Sequence, residues 1–352
     1  MKNIIRPARL AASAFATAAL VAGIVASQAS AAPSRQAEIA SHHKDAEFKK
    51  PKLKHGELEI KGTRDDDKIT LRLKAGDAGT LEVDVGDDGS ADFSFERDDI
   101  QRIDLTARDG NDVVRMDESN GAFTDTIQTK LDGGDGNDTL IGGSGVETFL
   151  GGDGNDTMDG NRGNDVAYMG AGDDTFIWDP GDGNDTIEGQ DGTDTMRFNG
   201  ANVPEQVDVS ANGPRLRFFR QPGNVLMDTD DVERVDFNAL GSADVVTVHN
   251  LAGTDVTAVN LDLAATLGGS AGDGAADQVI VEGTAGDDTI NVSGDSANGV
   301  QVSGLAATVR ILHSEAANDR LDINTLAGND TVVANGLAPG VIQLFEDGIP
   351  VP

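Results

Sequence analysis

Cysteine is absent from this chain, so no disulfide can brace it and no thiolate can bind a metal. Aromatic residues make up 4% of 352 positions, with one Trp and one Tyr, which excludes the aromatic-rich core of an ordinary globular enzyme. Helical periodicity is missing from everything beyond residue 31. Positive charge is scarce, 27 Lys and Arg against 61 Asp and Glu, for a net charge of −34. Such a polyanion repels nucleic acid and anionic lipid, so no nucleic-acid partner is expected, while the sign suits the binding of many cations. Beyond the first thirty residues no apolar run is long enough to span a membrane.

The N-terminus carries a basic start (Lys2, Arg6, Arg9), an apolar run from Leu10 to Ala26 and a small-residue Ala29-Ser30-Ala31 signal. That order predicts a secretory signal peptide over residues 1–31 and a secreted, extracellular product. Its removal deepens the negative charge by three. Residues 32–56 are polar and aperiodic and read as a disordered leader. From Glu57 onward short alternating runs such as Ile69-Thr-Leu-Arg-Leu73, bounded by Gly and Asp clusters, predict strands and turns.

Between Gly133 and Arg197 a nine-residue frame recurs. It starts at Gly133, Gly142, Gly151, Gly160, Met169, Pro180 and Gly189, with Trp178 and Asp179 inserted before the sixth copy. Position four is Gly, position six acidic and position eight apolar in every copy. A longer unit flanks the block: Arg102–Val114 aligns without gaps to Arg234–Val246 and Arg320–Val332, and Gly62–Ile69 aligns to Gly283–Ile290. One elongated repeat array is expected. The fold class is all-β, a parallel β-roll or β-solenoid with β-rich flanking segments. Residues 57–127 form the N-terminal flank, 128–200 the repeat block and 201–352 the C-terminal flank.

The frame assigns a task to each position. Positions one to six turn the chain, and glycine tolerates the positive φ this needs. Turning exposes backbone carbonyls, notably around Gly134, Gly136, Gly152, Gly154, Gly170 and Gly172. Position eight (Leu140, Phe149, Met158, Ala167, Phe176, Ile187, Met196) points inward. One such side chain stabilises by about 1.5–3 kcal/mol, against about 1–2 kcal/mol of backbone entropy for each of nine ordered residues. Something must bind the turns. Two nonapeptides make one coil, so Asp138, Asp156, Asp174 and Asp194 line one edge, and Glu147, Asp165 and Asp185 the other. A cation between same-edge turns would meet only oxygen donors. Calcium accepts six to eight of these, zinc prefers Cys or His, and magnesium sheds water reluctantly. The Asp138/Asp156 and Asp156/Asp174 pairs are the leading candidates.

Residues Gly133–Arg197 resemble the repeats-in-toxin, or haemolysin-type, calcium-binding family, with its G-G-x-G-x-D-x-U-x pattern. The resemblance implies a parallel β-roll with Ca²⁺ between successive turns. The sequence departs from the pattern at Val146-Glu147, Asn161, Met169 and Pro180. Toxin activity does not transfer with the resemblance.

Other motifs read as scaffold. Gly268-Gly-Ser270-Ala-Gly272 fits a nucleophile pattern but lacks a following helix, and reads as a flexible loop. Asp84–Gly89 fails the calcium-hand pattern at Gly86 and Phe95 and reads as a solvated turn. His42, His43 and His55 lie in the leader, and His249 and His313 read as solitary. Asp67, Asp112, Asp244, Asp288 and Asp330 fill the position-six slot of the flanking units and read as turn caps, with the binding of isolated calcium ions as the alternative. Trp178 reads as an insertion residue covering the roll. The reading reached is a secreted, non-catalytic calcium-binding repeat protein whose partners are calcium ions and a cell-surface or matrix component. The alternative is a secreted solenoid enzyme, a lyase or epimerase acting on acidic polysaccharide, with calcium as a structural ion.

Overall fold

The computed structural model describes residues 48–352; the expected signal peptide and most of the expected leader lie outside the described residues. Among the described residues the only helical element is a three-residue 3₁₀ turn, Arg97–Asp99. No helix among them is long and apolar enough to cross a membrane. Everything else is strand and turn, arranged as one fifteen-stranded and one fourteen-stranded sheet.

In the repeat block the chain alternates between the sheets. Gln128–Asp135, Glu147–Asp153, Val166–Ala171 and Thr186–Asp191 lie side by side in the larger sheet. Thr139–Ile141, Thr157–Asp159, Thr175–Trp178 and Thr195–Asn199 lie side by side in the other. All these neighbours are parallel. Phe149 sits beside Ala167 and Met158 beside Phe176, a step of eighteen residues per coil. Past the insertion the step is twenty, with Ala167 beside Ile187 and Phe176 beside Met196. The β-roll is therefore as the repeat frame predicts.

Burial alternates along each strand, as the period-two geometry of a strand requires; Glu147–Asp153 is a clear case. All seven position-eight side chains are fully buried, while Thr139, Thr157 and Thr175 at position seven point outward in one row. Trp178 does not cover the roll. It is a buried strand residue in register with Phe198 and stacked on it, with ring centroids 3.9 Å apart. Phe198 in turn contacts Phe218 and Phe237, so the few aromatics concentrate where the repeat block meets the C-terminal flank. Trp178 Nε1 donates to the Gly183 carbonyl at 2.9 Å.

The flanks continue the same sheets. Arg102–Asp109 pairs in parallel with Gln128–Asp135, and Thr195–Asn199 with Arg234–Asn238. The flanks also contain antiparallel hairpins, which the sequence pattern does not announce. They include Lys68–Lys74 with Asp77–Val85, Gln206–Asn212 with Arg215–Gln221, and Thr289–Asp295 with Gly299–Ser303. The expected leader also ends early. Lys52–Lys54 is a strand, antiparallel to Glu57–Lys61, because Leu53 finds Leu58 as its partner across a turn at His55-Gly56.

Candidate metal centre

Each repeat turn is a chain path that glycine makes cheap. Gly134 and Gly136 have φ of +111° and +132°, Gly152 and Gly154 +116° and +132°, and Gly170 and Gly172 +116° and +139°. The second constraint comes from stacking. A Cβ at Gly134, Gly152 or Gly170 would run into the carbonyl of Arg108, Gly134 or Gly152 on the preceding coil. At Gly136, Gly154 and Gly172 it would meet the carbonyls of Gly110, Gly136 and Gly154. Columns of carbonyl oxygens thus run along the edge, directly beneath glycine α-carbons.

Beside those columns the position-six carboxylates form ladders. The Asp138 backbone N–H donates to Asp156 Oδ1 and the Asp156 N–H to Asp174 Oδ1, each at 2.7 Å. The Asp174 N–H donates to Asp194 Oδ1 at 2.9 Å. On the opposite edge the Glu147 N–H reaches Asp165 Oδ1 at 2.7 Å, and the Asp165 N–H reaches Asp185 Oδ1 at 2.8 Å. The structure therefore gathers the seven carboxylates on the two edges in the grouping the repeat predicts. It adds a task the repeat does not reveal, since one oxygen of every position-six aspartate caps the neighbouring coil.

The other oxygen is left over. Oδ2 of Asp138, Asp156, Asp165, Asp174, Asp185 and Asp194, and Oε1 of Glu147, are buried with no hydrogen-bond partner. A buried, unpaired carboxylate oxygen is costly. Burial pushes the pKa of Asp138 and Asp174 up to about 6, of Asp156, Asp185, Asp194 and Glu147 up to about 7, and of Asp165 up to about 9. The backbone N–H donated from the neighbouring coil opposes each of these Asp shifts without cancelling it. Neighbouring carboxylates add to the rise at Asp156 and Asp165.

The departures from the repeat pattern have local effects. The turn Gly142–Glu147 contains no positive φ. Its Gly143 N–H donates back to Glu147 Oε2 at 2.9 Å, and Val146 stands 61% exposed. Asn161 takes the glycine path at φ +55°, Met169 is fully buried, and the Pro180 turn keeps a positive φ at Gly181 alone.

Two features lie beyond the sequence reading. Position five carries its own ladder: the Asn137 N–H donates to Asn111 Oδ1 at 2.9 Å, the Asn155 N–H to Asn137 Oδ1 at 2.7 Å, and the Asp173 N–H to Asn155 Oδ1 at 3.0 Å. The recurrence of Asn or Asp at that position was the available signal. The flanking aspartates are also more than local turn caps. The Asp67 N–H donates to Asp112 Oδ1 at 2.6 Å and the Asp112 N–H to Asp138 Oδ1 at 2.7 Å, so the ladder crosses the flank boundary. Asp84 is buried, not solvated, and its charge is met by Arg72 at 2.7 Å. A trio of half-buried Asp230 and exposed Asp231 and Asp255 brings carboxylates within 4.8 Å of one another. Arg215 already holds Asp230.

The site thus defines a class: a parallel β-roll whose turns stack carbonyl columns beside ladders of half-satisfied carboxylates. Within that class, residues 130–146, 141–176 and 181–202 match the RTX calcium-binding nonapeptide repeat in four copies, so this segment of the chain is a run of such repeats. No curated protein matches the chain. The donor set fits the ion that the repeat family binds. It is all oxygen, anionic and buried, and the repeat block contains no His or Cys.

Proposed function

We propose that the protein is a secreted, non-catalytic calcium-binding repeat protein whose roll is held together by calcium ions between same-edge turns. Asp138, Asp156, Asp174 and Asp194 would supply the carboxylate oxygens on one edge, and Glu147, Asp165 and Asp185 those on the other. The carbonyls near Gly134, Gly136, Gly152, Gly154, Gly170 and Gly172 would supply neutral ones. The observation that carries the reading is the row of buried carboxylate oxygens without partners. A divalent ion neutralises them in a way that no side chain of the block does. Secretion rests on the Lys2–Ala31 pattern. The lack of catalysis rests on the likeness of the carboxylates' surroundings, since acid–base work needs two carboxyls in unlike environments.

Binding of this kind is folding free energy. Circular dichroism of the secreted chain should show β-structure rising on calcium addition to chelated protein. Identical spectra in both conditions would refute the coupling. A second reading, an enzyme on acidic polysaccharide, has one feature in its favour. A groove of about 270 Å³ on the outer face of the smaller sheet carries Arg197, Arg234 and Arg310 beside Asp236 and Asp262, with Arg234 paired to Asp236, on an otherwise acidic molecule. Depolymerisation or epimerisation of a uronate polymer by the purified chain would establish that reading.

A further inference from the structure

Two neighbouring carboxylates of the C-terminal flank have different surroundings, one with a cationic partner and one without. Glu205 is fully buried and held by Nε and Nη2 of Arg220, which lies over the Trp178 ring. One coil further on, Asp244 accepts the Glu205 N–H through Oδ1 at 2.7 Å and is 1% exposed. Its Oδ2 is buried and has no partner. The ladder continues, with the Asp244 N–H donating to Asp277 Oδ1 at 2.8 Å and the Asp277 N–H to Asp319 Oδ1 at 3.1 Å.

The charges that face Asp244 are those of Asp277, Glu205 and Asp273, and those that face Asp277 are Asp319, Asp273 and Glu315. Arg220 is engaged one coil away. Further oxygens converge on the turn. A Cβ at Gly241 would come within 2.7 Å of the Asn202 side-chain amide oxygen and 3.7 Å of Asp273 Oδ2. The turn follows the path of the glycine turns although its residues differ, with Leu240 at φ +71° and Ser242 at φ +85°.

We propose that the turn Ala239–Asp244 is a divalent-cation site outside the repeat block, taking calcium through the unpartnered Oδ2 of Asp244 with Asp273 and Asp277 supplying further carboxylate charge. At Asp244 the ion does what the Arg220 guanidinium does at Glu205. The site extends the calcium reading of the repeat block and rests on it for the identity of the ion, but on different residues.

The test counts ions on the full secreted chain at saturating calcium, by equilibrium dialysis, for wild type, Asp156→Asn and Asp244→Asn. Asparagine at 244 keeps the size of the side chain and the acceptor for the Glu205 N–H and removes only the charge. Asp244→Asn is expected to lose one ion per chain. A terbium-soaked wild-type crystal should show an anomalous peak about 2.3–2.6 Å from Asp244 Oδ2, and this measurement decides if the variant fails to fold. An unchanged ion count in folded Asp244→Asn, or a map with ions in the repeat block and none at this turn, overturns the proposal and leaves the block reading standing. A chain that binds no ion anywhere overturns both.

Discussion

The repeat block and the C-terminal flank share a coil but hold it together differently. In the block each strand buries only one or two apolar side chains, and the block's carboxylates have no cationic side chain beside their buried oxygens. In the flank the coil is thickened by a hairpin that brings Val207, Val209, Leu216 and Phe218 into the core, and Arg220 meets Glu205 directly. The N-terminal flank uses the same device at Arg72 and Asp84. A guanidinium costs chain length and fits one place, whereas a nine-residue turn has room only for oxygens. The difference teaches that the short repeat assigns its countercharge to a soluble ion, and that the longer flanking coils carry much of theirs in the sequence.

The largest break in that comparison is removal of calcium. Each filled site stabilises by about 2.7 kcal/mol when calcium stands at a hundred times Kd, so emptying several outweighs any single substitution. Hydrogen exchange in chelator at pH 8 should show protection lost across residues 133–197 and retained in the hairpin strands Gln206–Asn212 and Arg215–Gln221. Equal loss in both regions would show that the flank depends on the ion as much as the block does.

Next in size is the flank's own device. Arg220→Met leaves Glu205 buried and unpaired, a loss of about 3–5 kcal/mol by analogy with other broken buried pairs. Denaturant unfolding should register that loss equally at low and high calcium, provided the flank site at Asp244 is kept saturated. A loss that vanished in excess calcium would mean that an ion can replace the guanidinium.

A smaller effect should change sign with conditions. Asp156→Asn keeps an acceptor for the Asp138 N–H but removes a charge. In calcium it should destabilise, by roughly 1–3 kcal/mol, because a ligand is weakened. In chelator at pH 8 it should stabilise. The sign follows from the raised folded-state pKa of about 7, against about 3.9 in the unfolded chain. The fold binds that proton more tightly, so the group's contribution is complete below about pH 4 and is lost as pH rises through 7. Metal-free wild type should accordingly be more stable near pH 5 than near pH 8. Thermal melts of both proteins in chelator at those two pH values check both statements.

How much of this was legible beforehand depends on which atoms repeat. The frame from Gly133 to Arg197 revealed the coil, the inward Leu140-to-Met196 column and the grouping of Asp138 with Asp156, because all three follow from a fixed period. What the period does not encode is where a carboxylate's second oxygen points. The capping bond from the Asp138 N–H to Asp156 Oδ1 depends on side-chain rotamers one coil away. The hairpins of the flanks escaped for a related reason. Gln206–Asn212 alternates like any strand, and alternation is silent on whether a partner is parallel. Trp178 was misplaced because an insertion shifts the frame: the residue that looked extra is in register with Phe198, and the extra length is taken up in the turn that follows.

His249 shows the same limit in one side chain, and it supplies the finest test of the contrast. It follows the strand Val245–Val248, between Gln206–Asn212 and Gln278–Glu282 in the sheet. Nδ1 lies 2.7 Å from Glu282 Oε2 and Nε2 lies 2.7 Å from Asp208 Oδ2, so the imidazolium, with both ring nitrogens donating, is the form that satisfies both carboxylates. Partial burial lowers its pKa, and the hydrogen bonds to Asp208 and Glu282 together with their charges outweigh that and raise it. Arg217 also reaches Asp208, at 2.8 Å. A histidine raised in the fold stabilises fully below its unfolded pKa of about 6.5 and loses that contribution as pH rises through the higher folded value. His249→Gln should therefore cost a fraction of a kcal/mol at pH 5.5 and nothing measurable at pH 9, since the pair is partly exposed and screened. Because this staple holds three flank strands by charges the chain itself carries, the difference between variant and wild type should be unaffected by calcium. A His249→Gln defect that grew on chelation would mean that the flank borrows its rigidity from the ion-bound block.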